Sequence, residues 1–203
     1  MTPDVWLFLQ VNNLAVATPW LQPLMAGYAR DGLVVFAGLM VLGWWIARRH
    51  ADRRAMAAAV WTPLGMLGAL GVNQLLVELV GRPHPYASLP DILVLADRSV
   101  DPSFPSDHAV VVGAITVGLW LVSRWLGLVT AAAALLMAFA RVYIAGHYPL
   151  DVLTGLVVGA AVALGGWAQA RPPLMRLLER VERTRLGPVF LPRCAAGGAP
   201  TGG

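Results

Sequence analysis

Five stretches of this chain are apolar for long enough to cross a lipid bilayer, and no other feature restricts its fold so strongly. They run approximately over residues 32–47, 56–80, 107–123, 125–145 and 150–169. A helix rises about 1.5 Å per residue, so roughly 20 apolar residues cover a hydrocarbon layer of about 30 Å. Backbone polar groups find no water in lipid, so each span must satisfy them internally as a helix. Only 13% of the 203 residues are charged and 58% are hydrophobic, too little polar surface for a water-soluble globule of this size. The expected fold is therefore all-α: an integral membrane bundle of about six helices.

The sixth helix comes from the N-terminal stretch "VWLFLQVNNLAVATPWLQPLMAGYAR", which is apolar but broken by Asn12, Asn13, Pro19 and Pro23. Either a span or an interfacial helix followed by a turn fits that pattern. After residue 170 the apolar run stops. Residues 1–170 are thus expected to form a membrane-embedded domain and 171–203 a basic cytoplasmic tail. Within the tail, "LMRLLERVERTRL" reads as a short amphipathic helix on the inner surface, and the final "CAAGGAPTGG" as disordered.

All fifteen basic residues are arginine, and the net charge is +4. Most of the arginines flank apolar runs, as in "RRHADRR" (48–54), Arg124 and "RPPLMRLLERVERTR" (171–185). The bias of arginine toward cytoplasmic loops explains this distribution without invoking nucleic acid. It also orients the chain across its membrane. If those three clusters face the cytoplasm, the loop from Arg82 to Asp107 and the junction from Arg141 to Asp151 share the extracytoplasmic face. Cys194 is the sole cysteine, which excludes an intramolecular disulfide and a multi-cysteine metal site. No basic region precedes the first apolar stretch, so no cleavable signal peptide is expected.

Ionisable groups beside lipid are costly and mark functional sites. The stretch "ARVYIAGHYPLDV" (140–152) carries three. Asp151, four residues after His147, can reach one imidazole nitrogen, fixing the tautomer and leaving the other free to attack or bind. Arg141 can point its planar fork of donors at phosphate oxygens. In the other loop, Ser106, Asp107 and His108 stand where "SVDPSFPSDHAVVVGA" turns into the third span, a helix N-terminus suited to an anion. Upstream, "GRPHPYASLP" places Arg82 and His84 between prolines. Two histidines, at least two arginines, a serine and a carboxylate on one face suggest phosphoryl transfer without metal or cofactor. One histidine attacks phosphorus, another protonates the departing oxygen, and the arginines hold the equatorial oxygens.

Arg141-x5-His147-x3-Asp151 and Pro105-Ser106-Asp107-His108 resemble the third and second motifs of the type 2 phosphatidic acid phosphatase superfamily, over roughly residues 70–165. One motif alone carries a false-positive risk, which the second reduces. The resemblance implies a six-helix membrane phosphatase with His147 as the nucleophile that becomes phosphohistidine, Asp151 orienting it and His108 as general acid. Ser106, Arg141 and a first-motif arginine would bind phosphate. The family's first motif, a lysine seven residues before an Arg-Pro pair, is altered. One register puts Val77 and His84-Pro85 there, the other Leu75 and Arg82-Pro83, so either His84 or Arg82 takes the arginine's place. Asp107 and Ala140 replace the glycine before the second-motif histidine and the serine before the third-motif arginine.

The resemblance and the outward face imply dephosphorylation of undecaprenyl pyrophosphate to undecaprenyl phosphate in cell-wall synthesis. Phosphatidylglycerol phosphate or phosphatidic acid are the alternative substrates. From another class, the altered first motif allows a membrane protein that binds a lipid phosphate without turning it over. The partners are thus a lipid phosphate or diphosphate and the bilayer, and the number of copies is left open. Among blander readings, Ser106 caps the third span, Glu78 pairs with an arginine one turn away, Asp107 faces solvent or Arg98, and Trp44, Trp45 and Trp125 form an interfacial belt.

Overall fold

The structure, a computed structural model, describes residues 1–190, and no strand occurs among them. The helices are α1 (Pro3–Ala17), α2 (Gln22–Asp31), α3 (Leu33–Arg49), α4 (Arg53–Val80), α5 (Pro85–Ser88), α6 (Asp107–Val122), α7 (Arg124–Tyr143), α8 (Pro149–Glu182) and α9 (Gly187–Phe190). Arg53–Ser88, Arg124–Tyr143 and Pro149–Glu182 are long and apolar enough to cross a membrane. A fourth span is available if Pro19–Asp31 and Leu33–Arg49 act together across their 55° bend. α6 is apolar but has only 16 residues.

Local chemistry sets the boundaries. α4 starts where Asp52 accepts the N–H groups of Arg54 (2.8 Å) and Ala55 (3.1 Å), satisfying donors that the first helical turn leaves free. It ends at Gly81, whose φ of 60° is the left-handed C-cap conformation that glycine adopts without a Cβ penalty. The chain then swings over the end of the bundle as Arg82, Pro83 and His84.

α6 is the central helix and packs against α3, α4, α7 and α8. Its seam with α8 is made of glycines. A Cβ on Gly155 would lie 2.7 Å from the Ser106 carbonyl, one on Gly113 2.5 Å from the Leu156 carbonyl, and one on Gly159 would overlap the Val110 carbonyl. Small residues let helix backbones approach closely where lipid supplies no hydrophobic drive between helices. Here they bring the first turns of α6 and α8 together, with the second and third motifs on them.

For α1, the first part of the N-terminal stretch, the contacts favour the interfacial placement of the two considered. Asp4 accepts the N–H of Leu150 (2.9 Å), Asn12 bonds both backbone groups of Leu93 (2.7 and 3.1 Å), and the Thr18 hydroxyl meets the Tyr143 hydroxyl (2.7 Å). Those partners all belong to one end of the bundle, so α1 is laid across that end rather than threaded beside the spans.

The last span does not stop near residue 169. α8 continues for 34 residues to Glu182, through Pro172 and Pro173, and absorbs most of the expected separate amphipathic helix. At about 51 Å it overshoots the hydrocarbon layer. Arg53 grips its far end through two bonds to Glu182 (2.7 and 2.9 Å), and Arg48 donates to the Pro188 carbonyl (3.0 Å). Leu178 and Trp167 pack there on Ala55, Met56, Ala57 and Ala58. Arg49 lies 4.8 Å over the Trp45 ring, an arrangement suited to a membrane interface. Cys194 and the expected disordered tail lie outside the described residues.

Candidate active site

The connection between α7 and α8 is held almost wholly by backbone. Arg141 O accepts from Gly146 N (3.0 Å) and His147 N (3.2 Å), while Ile144 O accepts from Leu95 N (3.1 Å) and Ala96 N (2.9 Å). Ala145 sits at φ 64°, a left-handed conformation costing a non-glycine residue roughly 1 kcal/mol. The tight turn points the buried His147 ring back toward the first turn of α6.

His147 Nδ1 lies 2.8 Å from the carbonyl oxygen of Ser103. A carbonyl only accepts, so Nδ1 carries the proton and Nε2 keeps its lone pair. Arg141 Nη2 donates to that nitrogen at 3.0 Å. Burial first, then the Arg141 charge and the neighbouring His84, hold the His147 imidazole well below its ordinary value. The ring is therefore neutral at pH 7, the state a nucleophile needs.

A cavity of about 240 Å³ opens beside this ring. His84, His108, Arg141 and His147 line it, as do Val77, Tyr86, Asp97, Asp101 and Asp107. His84 is fixed by its own Nδ1 on the Gly146 carbonyl, stacks on Tyr86 with centroids 4.9 Å apart, and lies 5.2 Å from the His147 ring centre. The side chains that meet in this cavity can supply a nucleophile, a proton donor and a fixed cation for one phosphate. Among the described residues no three His, Cys, Asp or Glu side chains form a group able to hold a metal ion.

Residues 58–173 match the PAP2 superfamily. The chain belongs to that superfamily. It is a multi-pass membrane enzyme, a phosphatase acting on lipid phosphates. Among its relatives are undecaprenyl-diphosphatase BcrC of Bacillus subtilis strain 168, 24% identical over 77% of this chain and 78% of that protein, and a putative undecaprenyl-diphosphatase, YbjG, of Escherichia coli K12, 27% identical over 75% of each. The fold resembles that of Aquifex aeolicus LpxE, with a TM-score of 0.61 at 21% identity, covering 83% of this chain and 96% of the other. It also resembles a PAP2 type phosphatidylglycerolphosphate phosphatase from Bacillus subtilis, with a TM-score of 0.57 at 20% identity, covering 91% and 90%.

Within this PAP2 enzyme, the residues expected from sequence divide into two layers. His147, His108, Arg141 and His84 face the cavity. Asp151, Ser106 and Arg82 are not among its lining residues. Asp151 is fully buried, with Oδ2 accepting the Tyr148 N–H (2.9 Å) and standing 3.9 Å from His147 Nδ1. The imidazole's hydrogen bond goes to Ser103 instead. Ser106 stands at the N-cap of α6 without a side-chain capping bond; its N–H donates to the Asp151 carbonyl at 3.1 Å.

Arg82 turns away from the cavity. Its Nη1 bonds Asp151 (2.7 Å), its Nη2 bonds Asp4 (2.6 Å), and its guanidinium lies 3.8 Å over the Tyr148 ring. Val77 and His84 both line the cavity, so the geometry selects the His84-Pro85 register for the altered first motif. The pair expected between Glu78 and Arg82 does not form, because Asp4 and Asp151 occupy both ends of the guanidinium and Glu78 is exposed. Asp107 accepts from Asn73 (2.7 Å) and Gln74 (3.3 Å) rather than from Arg98; Arg98 lies over Tyr86, 5.9 Å from its ring centre.

Sequence reasoning missed Ser103 and Gly146, which act through main-chain carbonyls and leave no mark of residue type. It also missed Asp4. A lone carboxylate in an apolar N-terminal helix was a readable signal for that residue, since buried charges require partners.

Proposed function

We propose that this PAP2 phosphatase hydrolyses undecaprenyl pyrophosphate to undecaprenyl phosphate through a phosphohistidine, without a metal ion. The observation that carries the mechanism is the fixed tautomer of His147. Ser103 holds the Nδ1 proton, so the lone pair of Nε2 faces the cavity that His108 and Arg141 also line. The undecaprenyl-diphosphatase relatives support the substrate.

Substrate oxygens take over the Arg141 donors and release the Nε2 lone pair. Nε2 attacks the terminal phosphorus and forms a P–N bond. The bond from that phosphorus to the bridging oxygen breaks, its electron pair stays on oxygen, and His108, which takes up a proton beside the negative charge of the bound phosphates, delivers it there. Water then attacks the phosphohistidine, His108 accepts its proton, the P–N electrons return to Nε2, and phosphate departs. Arg141 and the His84 ring stabilise the equatorial oxygens. Asp151 stabilises positive charge on His147 as the intermediate forms.

The arginines at the end opposite the cavity, Arg48, Arg49, Arg53, Arg54 and Arg124, support a cytoplasmic placement of that end and an extracytoplasmic placement of the site. The test is phosphate release from undecaprenyl pyrophosphate, phosphatidylglycerol phosphate and phosphatidic acid by purified protein with EDTA present, together with trapping of a base-stable, acid-labile phosphoprotein. Release from the first lipid that EDTA spares and His147→Ala abolishes is the expected result. Preference for either monophosphate lipid would move the function to phospholipid metabolism. Binding without release from any lipid would favour the non-catalytic alternative.

A further inference from the structure

A second cavity of about 300 Å³ adjoins the first and shares Ala96, Asp97, His108 and Arg141 with it. The rest of its wall is Ala26 and Arg30 from α2, Leu95, and Ile144 from the α7–α8 connection. Among the described residues lining either cavity, Arg141 and Arg30 are the permanent cations. Asp97, Asp101 and Asp107 oppose Arg141 in the first, and Asp97 is the one carboxylate that also lines the second. With valine and histidine at the two basic positions of the first motif, the first cavity holds one fixed positive charge, enough for the phosphate being transferred but not for a second phosphate attached to it.

We propose that the second cavity receives the phosphate that stays with the lipid, and that Arg30 binds it and so determines preference for diphosphates over monophosphates. The inference rests on the diphosphatase reading above. Three observations support it. His108 lies on the wall common to both cavities, which is where an oxygen bridging two phosphorus atoms has to sit if each phosphate occupies one cavity. Arg30 is free to change partners: its side chain is 67% exposed, and its ion pair is with the adjacent Asp31 at 3.4 Å, an exposed contact worth at most about 1 kcal/mol. Finally, α2 is anchored to α7 by the Tyr28 hydroxyl, which donates to the Ala133 carbonyl at 2.9 Å, so the arginine is carried by a helix fixed to the one that bears Arg141. When the P–O bond breaks, the electron pair remains on the bridging oxygen, His108 protonates it, and the lipid monophosphate leaves from the Arg30 side.

The experiment measures kcat and KM for undecaprenyl pyrophosphate and for phosphatidic acid with wild type, Arg30→Gln, Arg30→Lys and Asp31→Asn, all checked for equal melting temperature in detergent. The expected result for Arg30→Gln is a fall of about tenfold or more in the diphosphate-to-monophosphate ratio of kcat/KM, carried by KM, as for loss of one charged hydrogen bond. Arg30→Lys should recover most of the ratio, and Asp31→Asn should hold or raise it. An unchanged ratio in Arg30→Gln, with a wild type that cleaves the diphosphate, would overturn the role of Arg30 alone. A wild type that cleaves only phosphatidic acid would overturn the diphosphatase reading and this inference with it.

Discussion

The α7–α8 connection and the segment after α4 each bring an arginine and a histidine to the same end of the bundle, yet they use them in opposite ways. In the first, Arg141 and His147 both face the cavity, 3.0 Å apart. In the second, His84 faces the cavity while Arg82, two residues earlier, is drawn backward onto Asp4 and Asp151. The presence of a basic side chain near a site therefore says little about its role; what decides is which carboxylates the fold brings within its reach. Arg82 has two buried ones behind it. Arg141 forms no ion pair among the described residues; apart from the Nη2 contact with His147 its guanidinium is not engaged by a carboxylate, which leaves it able to bind a substrate.

The difference can be tested from both sides. The largest effect is expected for His147→Ala, which removes the nucleophile: a loss of about four orders of magnitude or more in kcat, measured as phosphate release, with the fold intact by thermal unfolding. Next comes Arg82→Ala. Stripping Asp4 and Asp151 of their cation leaves two buried carboxylates unpaired, so unfolding stability should drop by about 2 kcal/mol, the moderate figure reflecting an arginine one-quarter exposed. His84→Ala should cost activity, with a smaller loss of stability than Arg82→Ala, since one buried hydrogen bond to the Gly146 carbonyl goes with it. If Arg82→Ala lowered activity in a fully stable protein, the division into two layers would be wrong.

A smaller, opposite effect is expected for His84→Arg, which restores a permanent charge to the cavity wall: KM for a lipid phosphate should fall about threefold, within the range of one exposed charge contact. The smallest effect concerns pH. Because burial and Arg141 disfavour the imidazolium, His147 stays neutral as the pH drops through the ordinary imidazole value of 6.5. The acid limb of kcat/KM that it controls should therefore lie below that value, and further below in His84→Arg, where a like charge is added. An acid limb centred at or above 6.5 would show that His147 is not held neutral in the free enzyme.

Both motifs were legible because their chemistry depends on residue type. His147, His108 and Arg141 were legible from the two motifs taken together, and all three line the cavity. The choice between the two first-motif registers was not readable, since Arg82 and His84 are both basic and only two residues apart. The settling contacts come from Asp4, 78 positions earlier, and Asp151, 69 positions later. The extent of α8 was misjudged for a similar reason. Beyond residue 169 its helix is held by Arg53 and by packing on α4, which no local hydropathy pattern records.

The sequence by itself determined that this chain is a membrane helical bundle with its reactive groups at one end. Apolar run length and arginine placement are local properties, read by the bilayer as they are by eye. Only the tertiary structure decided which nitrogen of His147 is free, which basic residue of the first motif enters the cavity, and that Arg30 of α2 lines a cavity together with His108. The first two hang on a main-chain carbonyl and on competing carboxylates, the third on the packing of α2 against α7. Each is a matter of which groups come within about 3 Å of each other, a distance that spacing along the chain does not specify.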